Sequence, residues 1–454
     1  MKIVIGGAGK VGSLILRELA AEDHELILIE KEPEVLEANI AAADISGLVG
    51  SVTSIADLQE AGVPDCDFFI ALTADDESNI ISAIMADRLG AGQSLARVRN
   101  PEYSSQMSFI RDSLGIKHLL NPELEAARDI AQILKYPAAL SVEAFFGGRA
   151  LVIELQVPPG SVLCGLNLQN FRKRYPELLV GAIKREEAVL IPRGQTQIEA
   201  GDRLLILGTS QPLDRLYRDL GLKQIPQRNA LVVCGGRITH YLLKMLADTR
   251  TIFTVIERHR EVARQLAAHF PQHTILVGDG TDYGVLDEQK IDHCDLFLAL
   301  TGIDEENILT SLYAKQQGVP RYITKVNRTQ ILKIIGGDTL QAVITPKRII
   351  ADRVLRFVRA SQNSEGSNVE ALYRLLDNEV EALEFIVRDD AEVINIPLHK
   401  LALNKDCLIA LISRGKQVIF PSGQDQIMAG DHIVVMTRKS CFDDVDDILK
   451  EGCR

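Results

Sequence analysis

No apolar run in this 454-residue chain approaches the roughly 18 residues that would suggest a membrane-spanning helix. The chain opens directly on a strand-like segment, so no secretory leader is expected. Seven cysteines are present, but they form no C-x-x-C pair and no even framework. They read as reduced, mostly buried thiols of a cytoplasmic protein rather than as a disulfide or zinc scaffold. Basic charge is also in deficit: 50 Lys and Arg stand against 62 Asp and Glu, for a net charge of -12. That balance argues against broad nucleic-acid binding and against electrostatic attachment to anionic lipid. Any work at a membrane then requires a membrane protein to hold the chain there. Catalytic signatures are missing as well. There is no H-E-x-x-H, no G-x-S-x-G and no Walker A sequence, and the segment Ser141 to Leu220 contains no histidine.

What is present begins at once. Lys2 to Ile5 form a short apolar run suited to a buried strand, and Gly7, Gly9 and Gly12 follow in a G-x-G-x-x-G pattern. Leu14, Ile15 and Leu19 then recur at helical spacing. Strand, glycine turn and helix are the context that a dinucleotide fingerprint requires. Gly7 permits the tight turn, Gly9 the approach of a pyrophosphate, and Gly12 the packing of helix on strand. Phosphates would sit on the helix N-terminus, where N–H groups and the dipole favour anions. A second strand, Glu25 to Ile29, ends at Glu30, 18 residues after Gly12 and near the distance expected for the acid that binds adenosine ribose hydroxyls. A carboxylate there repels a 2′-phosphate, which favours NAD over NADP.

The chain is an internal repeat. Ile70-Ala71-Leu72-Thr73 with the following acids and Asn79 recurs as Leu298-Ala299-Leu300-Thr301 with acids and Asn307, a shift of 228. The same shift maps Val49-Gly50 onto Val277-Gly278 and Cys66-Asp67 onto Cys294-Asp295. Glu199-Ala200-Gly201-Asp202 recurs as Met428-Ala429-Gly430-Asp431, a shift of 229. Strands expected near Ile3, Ile27, Gly47, Phe69, Ala96 and Leu119 alternate with helices, including Glu32 to Ala42 and Glu77 to Leu89. Such alternation predicts an α/β class with two tandem Rossmann-like, doubly wound parallel sheets. Each is followed by a small α+β domain, with strands expected at Leu151–Val157, Leu178–Lys184, Ala188–Ile191 and Arg203–Leu207. The expected domains are 1–137, 138–222, 229–360 and 367–454, with linkers at Leu222–Asn229 and Ser361–Ser367.

With the 228 shift carried back to the first loop, the second glycine turn reads as degenerate. Arg237 falls where Gly9 stood, filling the phosphate space, and His240 falls where Gly12 stood. Glu257 still ends the second strand. Within the first loop, Lys10 either reaches a terminal phosphate or is solvated. Thr73 closes strand four at the edge where ligands bind in such sheets. Asp75, Asp76 and Glu77 fit an N-cap and a dipole-complementing first helical turn. Arg97 and Arg99 flank strand five and either approach phosphates or serve a solvated or inter-subunit role. Histidines 118, 259, 273 and 399 read as surface or capping residues. No general acid or base faces the site, so a regulator fits better than an enzyme, with an NAD-dependent oxidoreductase or a ligand-sensing regulator of another transporter as alternatives.

The Gly7–Gly12 loop, Glu30, the doubled Ala-Leu-Thr segment and the doubled Ala-Gly-Asp turn together resemble the TrkA family. That family carries tandem regulator-of-potassium-conductance (RCK, or KTN) units, and the resemblance spans essentially the whole chain. It implies a cytoplasmic, peripheral, homotetrameric gating ring on the inner face of the membrane, under a TrkH-like potassium channel subunit. It implies NAD (NAD+ or NADH) as cofactor, with ATP or ADP at the same site. The site residues that carry over are Gly7, Gly9, Lys10, Val11, Gly12, Glu30, Thr73 and Arg97. Asn121-Pro122-Glu123 resembles a segment that brings a carboxylate to a cation in some relatives, and the repeat has Thr345-Pro346-Lys347 there; no metal ligand set is expected.

Overall fold

The structure is a computed structural model. It describes residues 1–22, 24–104, 106, 109, 113–136, 138–186, 188–222, 228–335, 340–362, 369–376, 379–415, 417–438, 442 and 444–449. Most of both expected linkers therefore lies outside the described residues.

Four sheets follow one another along the chain. The first contains β1 (Lys2–Gly6), β2 (Glu25–Glu30), β3 (Ser46–Val49), β4 (Phe68–Ala71), β5 (Gln93–Arg97) and β6 (His118–Leu120) in the order β3-β2-β1-β4-β5-β6. The second contains β7 (Ala139–Phe145), β8 (Ala150–Gln156), β9 (Leu178–Arg185), β10 (Ala188–Leu190) and β11 (Arg203–Gly208), ordered β10-β9-β11-β8-β7. The third, β12 (Asn229–Val233), β13 (Ile252–Glu257), β14 (Thr274–Val277), β15 (Leu296–Ala299), β16 (Tyr322–Lys325) and β17 (Ala342–Ile344), repeats the order of the first. The fourth, β18 (Val369–Leu375), β19 (Val380–Ile386), β20 (Cys407–Arg414), β21 (Gln417–Ile419) and β22 (His432–Thr437), is ordered β18-β19-β22-β20-β21.

The chain divides into two compact units, one of Met1–Gln132 with Ile225–Leu355 and one of Ile133–Gln224 with Arg356–Arg454. The first unit holds the two parallel sheets. Ile3, Val4 and Ile5 are fully buried, as are Phe68 to Ala71, because a central parallel strand has helices on both faces. The strand order reverses between β1 and β4, so the loops after them diverge and leave a crevice. The helix after β4 runs Asp76–Leu89 and is capped by Asp75, which accepts from Ser78 N–H at 2.8 Å. Its counterpart after β15 is Asp304–Gln316.

The second unit holds the two antiparallel sheets. Their facing residues form one apolar core, with Phe145, Val152 and Leu205 packed with Leu375, Ala410 and Met436. Arg149 ties the sheets at their rim by donating to Ser413 Oγ at 3.0 Å. The doubled Ala-Gly-Asp turn has a physical role here. Gly201 (φ 87°) and Gly430 (φ 79°) adopt a left-handed conformation that glycine tolerates. Asp202 and Asp431 each receive a two-toothed guanidinium from Arg185 and Arg414 and accept a backbone N–H three residues upstream. Two elements escaped the sequence reading. Strand β7 alternates apolar and polar residues with period two, a readable signal. The helix Leu168–Arg174 is short and is marked only by its Asn167 cap.

Candidate functional site

The glycine loop sits at the crevice of the first parallel sheet. Gly7 has φ 93°, and a Cβ on it would lie 3.0 Å from the Thr73 backbone, so both conformation and close approach require glycine. A Cβ on Gly12 would lie 2.2 Å from the Gly7 carbonyl. Gly9 differs: a Cβ there would meet no atom within 4 Å. Nothing in the fold needs a glycine at that position, and the space it leaves open faces outward from the loop. Val11 precedes the helix Gly12–Leu19, in whose first turn Ser13 N–H donates to Gly9 O at 2.9 Å and Ile15 N–H to Val11 O at 3.0 Å. Glu30 accepts from Ala8 N–H at 2.7 Å through one oxygen and from Lys31 N–H at 2.7 Å through the other. The first of these oxygens (Oε2) thereby locks the loop to the end of β2, while the other (Oε1) also accepts from Glu32 N–H at 3.2 Å, so Oε2 is the oxygen that retains a lone pair.

Thr73 and Arg97 belong to one network centred on Asn79, a residue the sequence reading quoted in the repeat but gave no role. Its buried amide uses all of its capacity. Oδ1 accepts from Thr73 N–H (2.8 Å) and Thr73 Oγ1 (2.7 Å), and Nδ2 donates to Thr73 O (3.1 Å) and Arg97 O (3.0 Å). Arg97 Nη2 donates to Thr73 O at 2.5 Å. Asp76 accepts from the N–H groups of Arg99 and Asn100. The second half repeats the device with Thr301, Asn307 and Lys325, and with Asp304 accepting from Asn327 and Arg328. Burial pushes Asp304 up, but those N–H bonds outweigh it and hold the carboxyl below its ordinary range.

The second loop corrects the sequence reading. Strand β1 pairs Lys2 with Glu25, and β12 pairs Asn229 with Ile252, which sets the register of the two loops at 227 rather than 228. Gly7 N–H donates to Ile29 O and Cys234 N–H to Ile256 O, and Ala8 and Gly235 N–H reach Glu30 and Glu257. Gly236, not Arg237, therefore occupies the place of Gly9, and Thr239, not His240, that of Gly12. Arg237 matches Lys10 and does not fill the phosphate space. The extra residue enters between β2 and β3: Ile27 pairs with Ser46, whereas Thr254 pairs with Thr274. Beside this loop lies a cleft of about 230 Å³ lined by Gly236, Glu257, His259, Gly280 and Ile303. The departures that remain are Cys234 at φ 85°, where the first half has Gly7, and Thr239, whose Oγ1 donates to Cys234 O. Two of the four histidines are less peripheral than expected, whereas His259, at a helix N-cap, and His399 are exposed. His118 stacks on Phe68, and burial lowers the pKa of His273, which lies edge-on to Phe253.

The two parallel-sheet domains meet within their unit. Asn121 Nδ2 donates to Tyr241 Oη (2.8 Å), which donates to Arg99 O (3.3 Å), and ion pairs join Arg353 to Glu125 and Arg348 to Glu18. Between the domains is a cavity of about 640 Å³, onto which Lys10, Val11 and Arg97 of the first half open. Glu123 lies at its edge, paired with Arg99 at 2.9 Å, and Lys347 lies at the corresponding place of the second half. Among the described residues no cluster of three or more His, Cys, Asp or Glu is arranged to hold a metal.

Two glycine-loop α/β domains alternating with two small antiparallel domains define a tandem RCK-type nucleotide-fold protein. Family models agree with that class: a TrkA-N domain matches residues 3–122 and 230–346, and a TrkA-C domain matches 152–221 and 382–450. The chain belongs to the TrkA family. It is 30% identical to the Trk system potassium uptake protein TrkA homolog of Archaeoglobus fulgidus, across 99% of this chain and 100% of that one. It is 29% identical to the Trk system potassium uptake protein TrkA of Haemophilus influenzae, across 96% of this chain and 95% of that one. Among solved structures, the GsuK channel bound to NAD superposes with a TM-score of 0.65 at 16% identity, covering 96% of this chain and 76% of that one, a likeness of fold. Among the described residues no helix is long and apolar enough to cross a membrane.

Proposed function

We propose that the chain is the nucleotide-binding regulatory subunit of a Trk-type potassium uptake system, sensing NAD(H), ATP or ADP and controlling a TrkH-like membrane channel subunit from the cytoplasmic side as a homotetramer. The observation that carries the reading is the open space at Gly9 beside Glu30, at the crevice of a family-matched TrkA-N domain. GsuK structures bound to NAD and to ADP share the fold and support a nucleotide as ligand. When bound, the nucleotide supplies no chemistry, only contacts. Gly7 and Gly12 shape the turn, Gly9 and the amides around Lys10 and Val11 receive the phosphates, and Glu30 receives the ribose. Thr73 and Arg97 border the phosphates from β4 and β5.

Gating follows from linkage. A nucleotide biases the channel only by binding one arrangement of the subunit better than another, and a coupling of about 1–3 kcal/mol per site is ordinary. Four subunits add their contributions. Calorimetric titration of the full chain with NAD+, NADH, ATP and ADP tests the reading. Gly9→Asp adds a carboxylate at a position where a Cβ meets no atom within 4 Å, so binding at the first site is expected to vanish with little change in melting temperature. Full binding by that variant, or none by the wild type, overturns the reading.

A further inference from the structure

Three of the nine histidines gather at one corner of the second parallel-sheet domain, each ring centre within 6.5 Å of that of Phe270. His240 lies in the helix Arg237–Met245, which begins directly after Gly236 of the second glycine loop, and its N–H donates to Gly236 O at 3.0 Å. His269 ends the helix Arg260–His269, and its Nδ1 donates to Gln265 O at 2.8 Å. The two imidazole rings are 5.6 Å apart, centre to centre. His273 accepts the Phe253 N–H of β13 through Nδ1 at 3.4 Å, and its buried Nε2 has no hydrogen-bond partner among the described residues. An imidazole that accepts through Nδ1 is neutral, with its proton on Nε2. Two of these rings therefore resist a further proton. On His273 it removes the acceptor of Phe253 and leaves buried donors unpaired. On His240 it places charge near the start of a helix, where the dipole opposes a cation, and against Lys244 on the same helix and His269 on the other. Burial first, then the His269 and Lys244 charges, pull the His240 pKa down, and burial alone pulls His273 down. The first half has no such corner: Ser13 stands at the place of His240, and residues 31–45 contain no histidine.

We propose that this corner is a proton-responsive latch on the second glycine loop, closed while His240 and His273 are neutral and released when they take up protons from solvent under mild acidification. Release frees the helix that Gly236 caps. Gly236 also lines the 230 Å³ cleft with Glu257 and His259, so acidification loosens one wall of that cleft and leaves the first glycine loop as it is. The sign follows from linkage. Both native values are lowered, so the stability of the closed latch is complete above the ordinary histidine value of about 6.5 and is lost as pH falls below it. The latch stands on packing and protonation and does not rest on the nucleotide reading above.

The test is hydrogen exchange read by mass spectrometry on the full chain at pH 7.5 and pH 5.5, corrected for the intrinsic pH dependence of exchange, for wild type, His240→Gln, His273→Gln and the double variant. At pH 5.5, about one unit below the ordinary value, a histidine that charges only on release favours release about tenfold, and two favour it about a hundredfold. Wild-type peptides spanning 237–245 are expected to lose protection by at least about tenfold between the two pH values, while peptides spanning 12–19 keep theirs. Each single variant is expected to retain part of this response and the double variant almost none, with wild-type protection at pH 7.5 serving as the check on folding. Equal protection of the 237–245 peptides at both pH values in wild type overturns the proposal whatever the variants do. A full response in the double variant also overturns it, because other groups then titrate, as does an equal loss in the 12–19 peptides, which is unfolding of the whole unit.

Discussion

Removing the Asn79 side chain exposes how much the first site depends on a residue that touches no ligand. In Asn79→Ala, Thr73 Oγ1 keeps a contact with the Asp75 carbonyl at 3.2 Å, and Thr73 O keeps the Arg97 guanidinium. Two half-buried groups lose these partners, the Thr73 N–H and the Arg97 carbonyl. An orphaned buried backbone group costs about 1–3 kcal/mol, so the expected loss is about 2–6 kcal/mol. For a unit of this size 1 kcal/mol moves the melting midpoint by roughly 2–4 °C, so the midpoint of the first unit is expected to fall by at least 4 °C, read by circular dichroism. The repeat supplies an internal replica. Asn307→Ala strands the corresponding two groups, Thr301 N–H and the Lys325 carbonyl, and is expected to cost a similar amount. A shift below about 2 °C in both variants refutes the argument that these amides hold the β4 and β5 loops in place.

The two loop turns predict opposite responses to backbone relief: Gly7→Ala is expected to destabilise, since φ is 93° and Thr73 lies 3.0 Å from the new Cβ, whereas Cys234→Gly removes left-handed strain of about 1 kcal/mol and raises the urea midpoint. Because Asp304 has a lowered native pKa, the stability it supplies is complete above the unfolded value near 4 and is lost as pH falls through the native value. The difference in urea midpoint between wild type and Asp304→Asn should therefore shrink from pH 5 to pH 3, and a constant difference contradicts it. Burial pushes the Cys66 thiol up to about 12 and Cys294 to about 11, so peptide mapping after treatment of the native protein with a thiol reagent at pH 8 should find neither labelled.

Much of this protein is written locally. The strand–glycine–helix segment at residues 2–19, the acid at Glu30 and the alternation of strands and helices depend on near neighbours, so all six strands of the first sheet and the open position at Gly9 were legible in the sequence. The tandem repeat gave the second half by copying. The copying also misled. The 228 shift holds from β3 through β5, but the first two strands and the loop between them obey 227, because the extra residue enters between β2 and β3, and β6 and β17 are related by 224. Only the hydrogen-bonded register of β12 on β13 decided that Gly236 stands in the place of Gly9 and Arg237 in that of Lys10.

The cavity between the domains was beyond the sequence for a different reason. Lys10 and Arg97 lie hundreds of residues from Lys325 and Lys347, and their convergence depends on how one sheet domain packs on the other, through Tyr241, Glu125 and Glu18. The sequence by itself determined which chemistry each half carries, since glycine turns, caps and buried strands are short-range matters of conformation and burial. Tertiary structure alone decided which of those groups share a space, because the contacts that bring the two halves together are long-range and leave no periodicity to read.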